Sequence, residues 1–511
     1  VERDSGINFN TTMSLHEQLL LAITHAPADD LPRLIFADWL EEQGAVPMAE
    51  WVRGQLRLGR VEAFSPEACT IYERLNTLPA ACQDEWLEES WELIRQRAIR
   101  QRRPLAASVP DLALVRSSLL WQRGLPVHLS LRLTDLSAWA DAWNALFDLW
   151  PVVGLSLRLD SEQDLLPDMV QWQSCLAAPW WKRIEHLYVF YDDDPGKSPA
   201  TSRVSTSSAG DVAPSSPGET SAPAPVVYHH TFASIQPILD NPALISLKTL
   251  GLIHVPVAPD WLRQVVLSSR WPQWQSLDIV DCPHLGRCLS EVLPAARHRR
   301  WRRLHVSNVP LTSLHWQRIL TAESTAHLEE WIFQETLGMP RWLAEPGQSG
   351  SSAVDALSAF PAADVPSGPL EYLDLRHLLP WSSLRLLYLA HPALSDSTVG
   401  EIAQAPVGNN LRYLTLCRPR WTDTAVASLA AAHHLHLYRL HLSTQPPAVR
   451  SFPFPGSPWW QGWAGHAKSD SISLSADMAG SAPDSGSPCP AKGPAHAILK
   501  RRFPHASIQV D

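Results

Sequence analysis

Apolar residues recur through the middle of the chain in one six-residue pattern: apolar, two variable positions, apolar, one variable, apolar. Leu247–Leu252, Trp274–Ile279, Trp301–Val306 and Leu328–Phe333 all carry it, and their central residues, Leu250, Leu277, Leu304 and Trp331, stand 27 apart. The last two apolar positions alternate with variable ones, the period-two mark of a strand with one buried face. Earlier copies centre on Leu155 and Leu187, later ones on Leu373, Leu387, Leu414 and Leu440. Between strands, Ser395–Ala403 and Thr422–Ala430 set a hydroxyl cap before apolar residues at helical spacing, which predicts a helix in each interval. A strand–loop–helix unit repeated at fixed interval predicts an α/β solenoid, with parallel strands on a concave face and helices outside. One spacing departs from this: the centres at 373 and 387 are 14 apart, too close for a complete unit.

The first hundred residues have a different period. Ser14 stands before Leu15–Thr24 with Glu17 three residues on, the sequence of a capping box. Asp29 or Asp30 caps a second helix, whose first turn holds Pro32 and whose apolar stripe is Leu31, Leu34, Ile35, Trp39 and Leu40. Gly44 and Pro47 interrupt it, a third helix runs over 48–58, and two more are expected near 66–78 and 82–101.

The 27-residue pattern resembles the signature of leucine-rich repeats, in the ribonuclease-inhibitor-like branch. The string Asp29-Asp-Leu-Pro-Arg-Leu-Ile-Phe-Ala-Asp-Trp-Leu-Glu-Glu-Gln-Gly44, continued by Ala49-Glu-Trp-Val-Arg-Gly-Gln55, resembles the small repeat-companion domain of planctomycete-type bacteria, and Trp121–Val127 resembles the segment that leads from it into the repeats. That resemblance implies an architecture, a helical companion followed by repeats, and no activity.

Together these readings divide the chain into a leader at 1–13, with Met13 a candidate start, a companion domain at 14–60 and a helical connector at 61–120. A repeat array follows at 121–445. Stretches near 192–226, 344–368 and 446–495 are rich in Ser, Pro, Ala and Gly without apolar periodicity, and are expected as disordered inserts. Residues 496–511 then read as a helix and a strand, a half-repeat capping the array.

Net charge is −10, which argues against general affinity for nucleic acid or acidic membranes. Seven cysteines contain no C-x-x-C pair, and the odd number does not suggest a disulfide framework, so a reducing, cytoplasmic setting is expected. There is no apolar run long enough to span a bilayer.

Candidate chemistry is sparse. Cys282, His284, Cys288 and His298 are zinc-type ligands at spacings that fit no structural zinc motif, and the histidines at 433, 434, 436 and 441 lack an H-E-x-x-H partner. Asp38, Glu41 and Glu42 read as a solvated helix face, paired with Arg33 and Arg53. Arginines crowd 95–103 and 297–303, a feature compatible with phosphate binding. Phosphate loops, nucleophile elbows and kinase motifs are absent from the sequence, so neither catalysis nor a cofactor or metal is expected. The expected function is protein binding, with an unidentified partner held on the concave face. The variable strand positions supply that face: His186, Tyr188, Phe190, Asp278, Arg303, His305, Ile332, Tyr372, Asp374, Arg376, Tyr388, Tyr413, Arg439 and His441. An unrecognised enzyme or metal protein, and nucleic-acid binding through the arginine clusters, are the alternatives.

Overall fold

A computed structural model describes residues 13–62, 65–78, 81–100, 115, 119–138, 140–159, 169–191, 235–255, 257–334, 383–390, 394–405, 410–417, 421–443, 494–504 and 506–510. The inserts expected at 192–226 and 344–368, nearly all of that at 446–495, and the repeat copy at 370–375 lie outside these residues.

Among the described residues twelve strands form one sheet in strict chain order. They are β1 (Leu119–Gln122), β2 (Leu125–Arg132), β3 (Gly154–Leu159), β4 (His186–Tyr191), β5 (Thr249–Ile253), β6 (Ser276–Val280), β7 (Arg303–Ser307), β8 (Glu330–Gln334), β9 (Leu386–Ala390), β10 (Tyr413–Cys417), β11 (Arg439–Ser443) and β12 (Ser507–Val510). Only β1 and β2 are antiparallel, joined by a two-residue turn at Arg123 and Gly124. Both turn residues have positive φ, the backbone that a tight hairpin turn requires. From β2 onward all pairs are parallel, so each strand must return through a crossover.

The pairing keeps one register throughout. Leu129, Leu155, Leu187, Leu250, Leu277, Leu304, Trp331, Leu387, Leu414 and Leu440 are successive partners, and two residues on a second apolar row runs from Leu131 to Leu442. Both rows are buried in one continuous core with the helices. A one-residue slip in any strand would turn leucines out of this core, which is why the register holds. The spacing puzzle near residue 380 has a direct answer here: β9 pairs with β8, Leu387 beside Trp331. The strand copy at 384–389 therefore continues the array.

Crossover helices repeat with the strands. Pro259–Leu267, Gly286–Ala295 and Ser313–Leu320 begin 27 residues apart, in step with β5, β6 and β7. Ser395 and Thr422 cap Asp396–Gln404 and Asp423–Ala431 by accepting the Thr398 and Ala425 amides. Tryptophans fill the wide spaces between units, as where Trp274 stands edge-on to both Trp271 and Trp301. A further periodic feature closes each strand. His254, Asp281 and Asn308, again 27 apart, are left-handed, and each donates its amide to the last carbonyl of the next strand. These three residue types tolerate that backbone better than most.

Helices α1 (Leu15–His25), α2 (Leu31–Glu42), α3 (Val46–Leu58), α4 (Pro66–Asn76) and α5 (Ala81–Arg100) precede the sheet. Ser14 accepts the Glu17 amide as expected, but Glu17 does not complete the box. Its carboxylate is buried and bonded to Arg97 and Arg100 of α5 at 2.6 Å each. Charge pairing wins because two guanidiniums offer a buried carboxylate more than one amide does. Asp29, not Asp30, accepts the Leu31 amide, while Asp30 pairs with Arg60 and Arg123. The module is joined to the helix Ala140–Leu149 before β3 by Thr24, which donates to the Leu149 carbonyl, and by Trp150, which donates to Ser90. Gly124 lies against α3, where a Cβ would overlap the Val52 backbone.

Candidate functional site

The two leucine rows face the helices, so the residues between and beside them point to the opposite face of the sheet. Of the residues expected there, His186, Arg303, Tyr413 and Arg439 lie in a row at the strand starts. Tyr188, Asp278, His305, Ile332, Tyr388 and His441 lie in the middle row, and Phe190 at the strand ends. The sheet thus brings onto one face residues drawn from 186 to 441. Tyr372, Asp374 and Arg376 lie outside the described residues.

Most of them have little exposure on that face. Side chains on a partner-binding surface are expected to meet solvent, yet Tyr188, Asp278, Arg303, His305, Ile332, Tyr388, Tyr413 and His441 are all buried. Only His186, Phe190 and Arg439 are half-buried.

A polar network runs across the middle of this face. Tyr188 on β4 donates its hydroxyl to Asp278 Oδ2 on β6 at 3.1 Å. Arg303 on β7 bonds Asp278 Oδ1 through Nε at 3.1 Å and Glu330 on β8 at 2.9 Å. His305 Nδ1 lies 3.9 Å from the same Asp278 oxygen. Burial opposes a charged guanidinium, but Asp278 and Glu330 together raise the Arg303 pKa above its ordinary value. Burial and the neighbouring Asp278 carboxylate push the Tyr188 phenol well above its usual range. Burial also drives His305 and His186 down to about 4 and His128 to about 3, so all three are neutral near pH 7. A neutral His128 shares a 2.7 Å hydrogen bond with Ser156, and His186 one of 2.9 Å with Thr249.

Two glycines make the network geometrically possible. Tyr188 reaches Asp278 by crossing β5, and its register partner there is Gly251. A Cβ at 251 would overlap the tyrosine ring, and one at Gly154 would overlap the His128 imidazole in the same way. Both glycines stand outside the apolar positions of the repeat. The signal was a glycine at a variable position of a strand, which marks a close approach. Toward the C-terminal end the face turns apolar, with Ile332, Leu386, Tyr388, Ala390, Tyr413 and Cys417 packed together.

Several of the remaining candidates make local contacts. Cys282 is buried with its thiol facing the main-chain carbonyls of Leu252, Val255 and Val280, to one of which it donates, and Cys288 faces that of Pro259. His284 and His298 bond the Val257 and Ser268 carbonyls. Among the described residues no group of three His, Cys, Asp or Glu side chains is arranged to hold a metal ion. Arg299 is buried over the Trp274 ring with its guanidinium on the Val266, Ser268 and Trp271 carbonyls, and Arg302 pairs with Glu329. Arg53 pairs with Asp38 and Glu41, whereas Arg33 turns inward to the Pro27 and Asp29 carbonyls. No helix among the described residues is long and apolar enough to cross a membrane.

A cavity of about 290 Å³ opens between α3 and the β1–β2 turn, lined by Asp30, Gln55, Arg60 and Arg123 among others. Although burial opposes it, Arg123 and Arg60 hold the Asp30 carboxyl below its usual range. Comparison with protein-family models, with curated proteins and with solved structures gave no match for this chain.

Proposed function

We propose that the chain is a non-catalytic interaction scaffold: a leucine-rich-repeat-type solenoid carrying a helical companion module, which binds a protein partner along the helix-free face of its sheet. The observation that carries this reading is the single register kept across eleven parallel strands, which sets side chains from the whole array side by side on one long surface. Solenoids use such surfaces for extended recognition.

Burial divides the labour on that face. The Tyr188–Asp278–Arg303–Glu330 network is internally satisfied and stiffens the sheet, since buried charges are retained where each is paired. Contact with a partner then falls to the half-buried His186, Phe190 and Arg439. Arg158 stacks its guanidinium 5.6 Å from the Phe190 ring, extending that contact toward β3.

Affinity capture with the full-length chain tests the reading. A His186→Ser/Phe190→Ser/Arg439→Ser variant with unchanged thermal unfolding is expected to lose the partners that the parent chain recovers. Recovery of the same partners at equal yield by both would sink it.

A further inference from the structure

Glu62 lies four residues beyond the end of α3, exposed, in the helical module. Its carboxylate nevertheless accepts a hydrogen bond from Tyr438 at 3.0 Å and lies 3.4 Å from Arg412 Nε. Those residues stand immediately before β11 and β10, at the opposite end of the array from the β1–β2 hairpin on which the module is seated. Glu62 therefore ties the end of the α3 segment to the strand starts near the far end of the array.

Glu62 meets a built surface there. The Arg412 guanidinium stands 5.8 Å from the Tyr438 ring, and Tyr438 packs 6.4 Å from Tyr413. Arg385, one strand earlier and exposed, stands beside Arg412 and accepts its amide on the main-chain carbonyl at 2.9 Å. Arg385, Arg412, Tyr413 and Tyr438 thus come from three consecutive strand starts and form a cationic, aromatic patch. Arginine and tyrosine are the residue types that concentrate binding energy at interfaces.

We infer that this patch is a docking site for an acidic segment of a protein partner, and that Glu62 is its intramolecular occupant. This docking site rests on the scaffold function proposed above and adds the chemistry of the partner. A carboxylate already sits on the patch, which identifies the group it accepts. The chain carries a net charge of −10, so a patch holding two arginines and two tyrosines is a local exception that selects anionic side chains. The occupant is also replaceable. Glu62 is 45% exposed, and an ion pair of that kind holds weakly, so a segment with several carboxylates reaching Arg385 as well as Arg412 displaces it. Displacement lifts the module from the far end of the array and frees the strand-start rim beside Tyr413.

The test uses the full-length chain, its Glu62→Gln and Arg412→Gln variants and the double variant, with a fluorescein-labelled short polyglutamate peptide titrated by anisotropy at low salt. Removing the internal competitor raises the competent fraction, so Glu62→Gln is expected to bind about three- to fivefold more tightly than the parent. Arg412→Gln is expected to abolish that gain, and thermal unfolding of each variant confirms that it is folded at the assay temperature. Equal affinity of parent and Glu62→Gln overturns the proposal, as does undiminished binding by Arg412→Gln. Equally strong binding of a short single-stranded oligonucleotide would overturn the assignment to an acidic protein segment. Failure of the peptide gain with partner capture intact sinks this inference alone; loss of capture with the gain intact sinks the scaffold reading alone.

Discussion

Tyr188 and Gly251 are register partners on adjacent strands, and the tyrosine crosses the sheet because the glycine has no side chain. The ring occupies the space a Cβ would need, and its hydroxyl ends on Asp278, one strand further. A leucine-patterned sheet gains a polar crosslink spanning three strands by leaving one position empty.

Gly251→Ala is therefore expected to be disproportionately destabilising for a change of one methyl. Either Tyr188 leaves its Asp278 bond or β5 shifts in a tightly registered sheet, at a cost of about 1–3 kcal/mol. Urea unfolding at neutral pH measures it. Tyr188→Phe keeps the ring and removes only the hydrogen bond, so it should cost less than Gly251→Ala; the reverse order would contradict the geometry.

Asp278 is the hub between Tyr188 and Arg303. Asp278→Leu leaves the buried Arg303 with Glu330 alone, and breaking a buried pair in this way costs about 3–5 kcal/mol. Replacing both charges, Asp278→Leu with Arg303→Met, removes the orphan. The double variant is expected to be more stable than Asp278→Leu by more than 1 kcal/mol or so. Additive losses in a double-mutant cycle would show that the two residues do not act together.

Acid should loosen this sheet in a specific window. Burial holds His128 at about 3 and His186 and His305 at about 4, below the ordinary value near 6.5 in an unfolded chain. The unfolded state thus binds more protons between these limits. Each histidine contributes stability that is complete above about pH 6.5 and is lost as pH falls toward 4, by at most about 1.4 kcal/mol per pH unit per group. Thermal unfolding from pH 7.5 to 4.5 should fall with a slope that His128→Gln makes shallower. An unchanged slope in that variant would remove His128 from the explanation.

Thiol chemistry gives a structural readout at single residues. Burial raises Cys175 and Cys282 to about 12 and Cys288 to about 11, which leaves little thiolate at pH 8. Iodoacetamide labelling followed by peptide mapping is expected to leave these three unmodified in the folded chain and to modify them in urea. Rapid native labelling of Cys282 would place it outside the core.

The extent to which the sequence spoke depended on the range of the interaction. The alternation around Leu277 and Leu304, the 27-residue interval and the caps at Ser395 and Thr422 are local. They define strands, helices and their order because each apolar position has one face on which it can be buried. In the helical start the elements were legible but not every face: Leu31 and Ile35, expected on the apolar stripe of α2, are exposed while Arg33, Phe36, Ala37 and Leu40 are buried, and the Glu17 carboxylate goes to Arg97 and Arg100 instead of its own cap. Nothing within a few residues of Glu17 announces two arginines eighty positions away.

The sequence by itself determined the repeating unit, the two leucine rows and which residues share the opposite face. Only the tertiary structure decided that this face is largely buried, that Asp278 links Tyr188 to Arg303, and that Glu62 meets Arg412 and Tyr438. Strand alternation is a property of the backbone over two residues, and any window of the chain contains it. Burial and charge pairing between strands depend on which distant segments become neighbours, and that follows from the folded path as a whole.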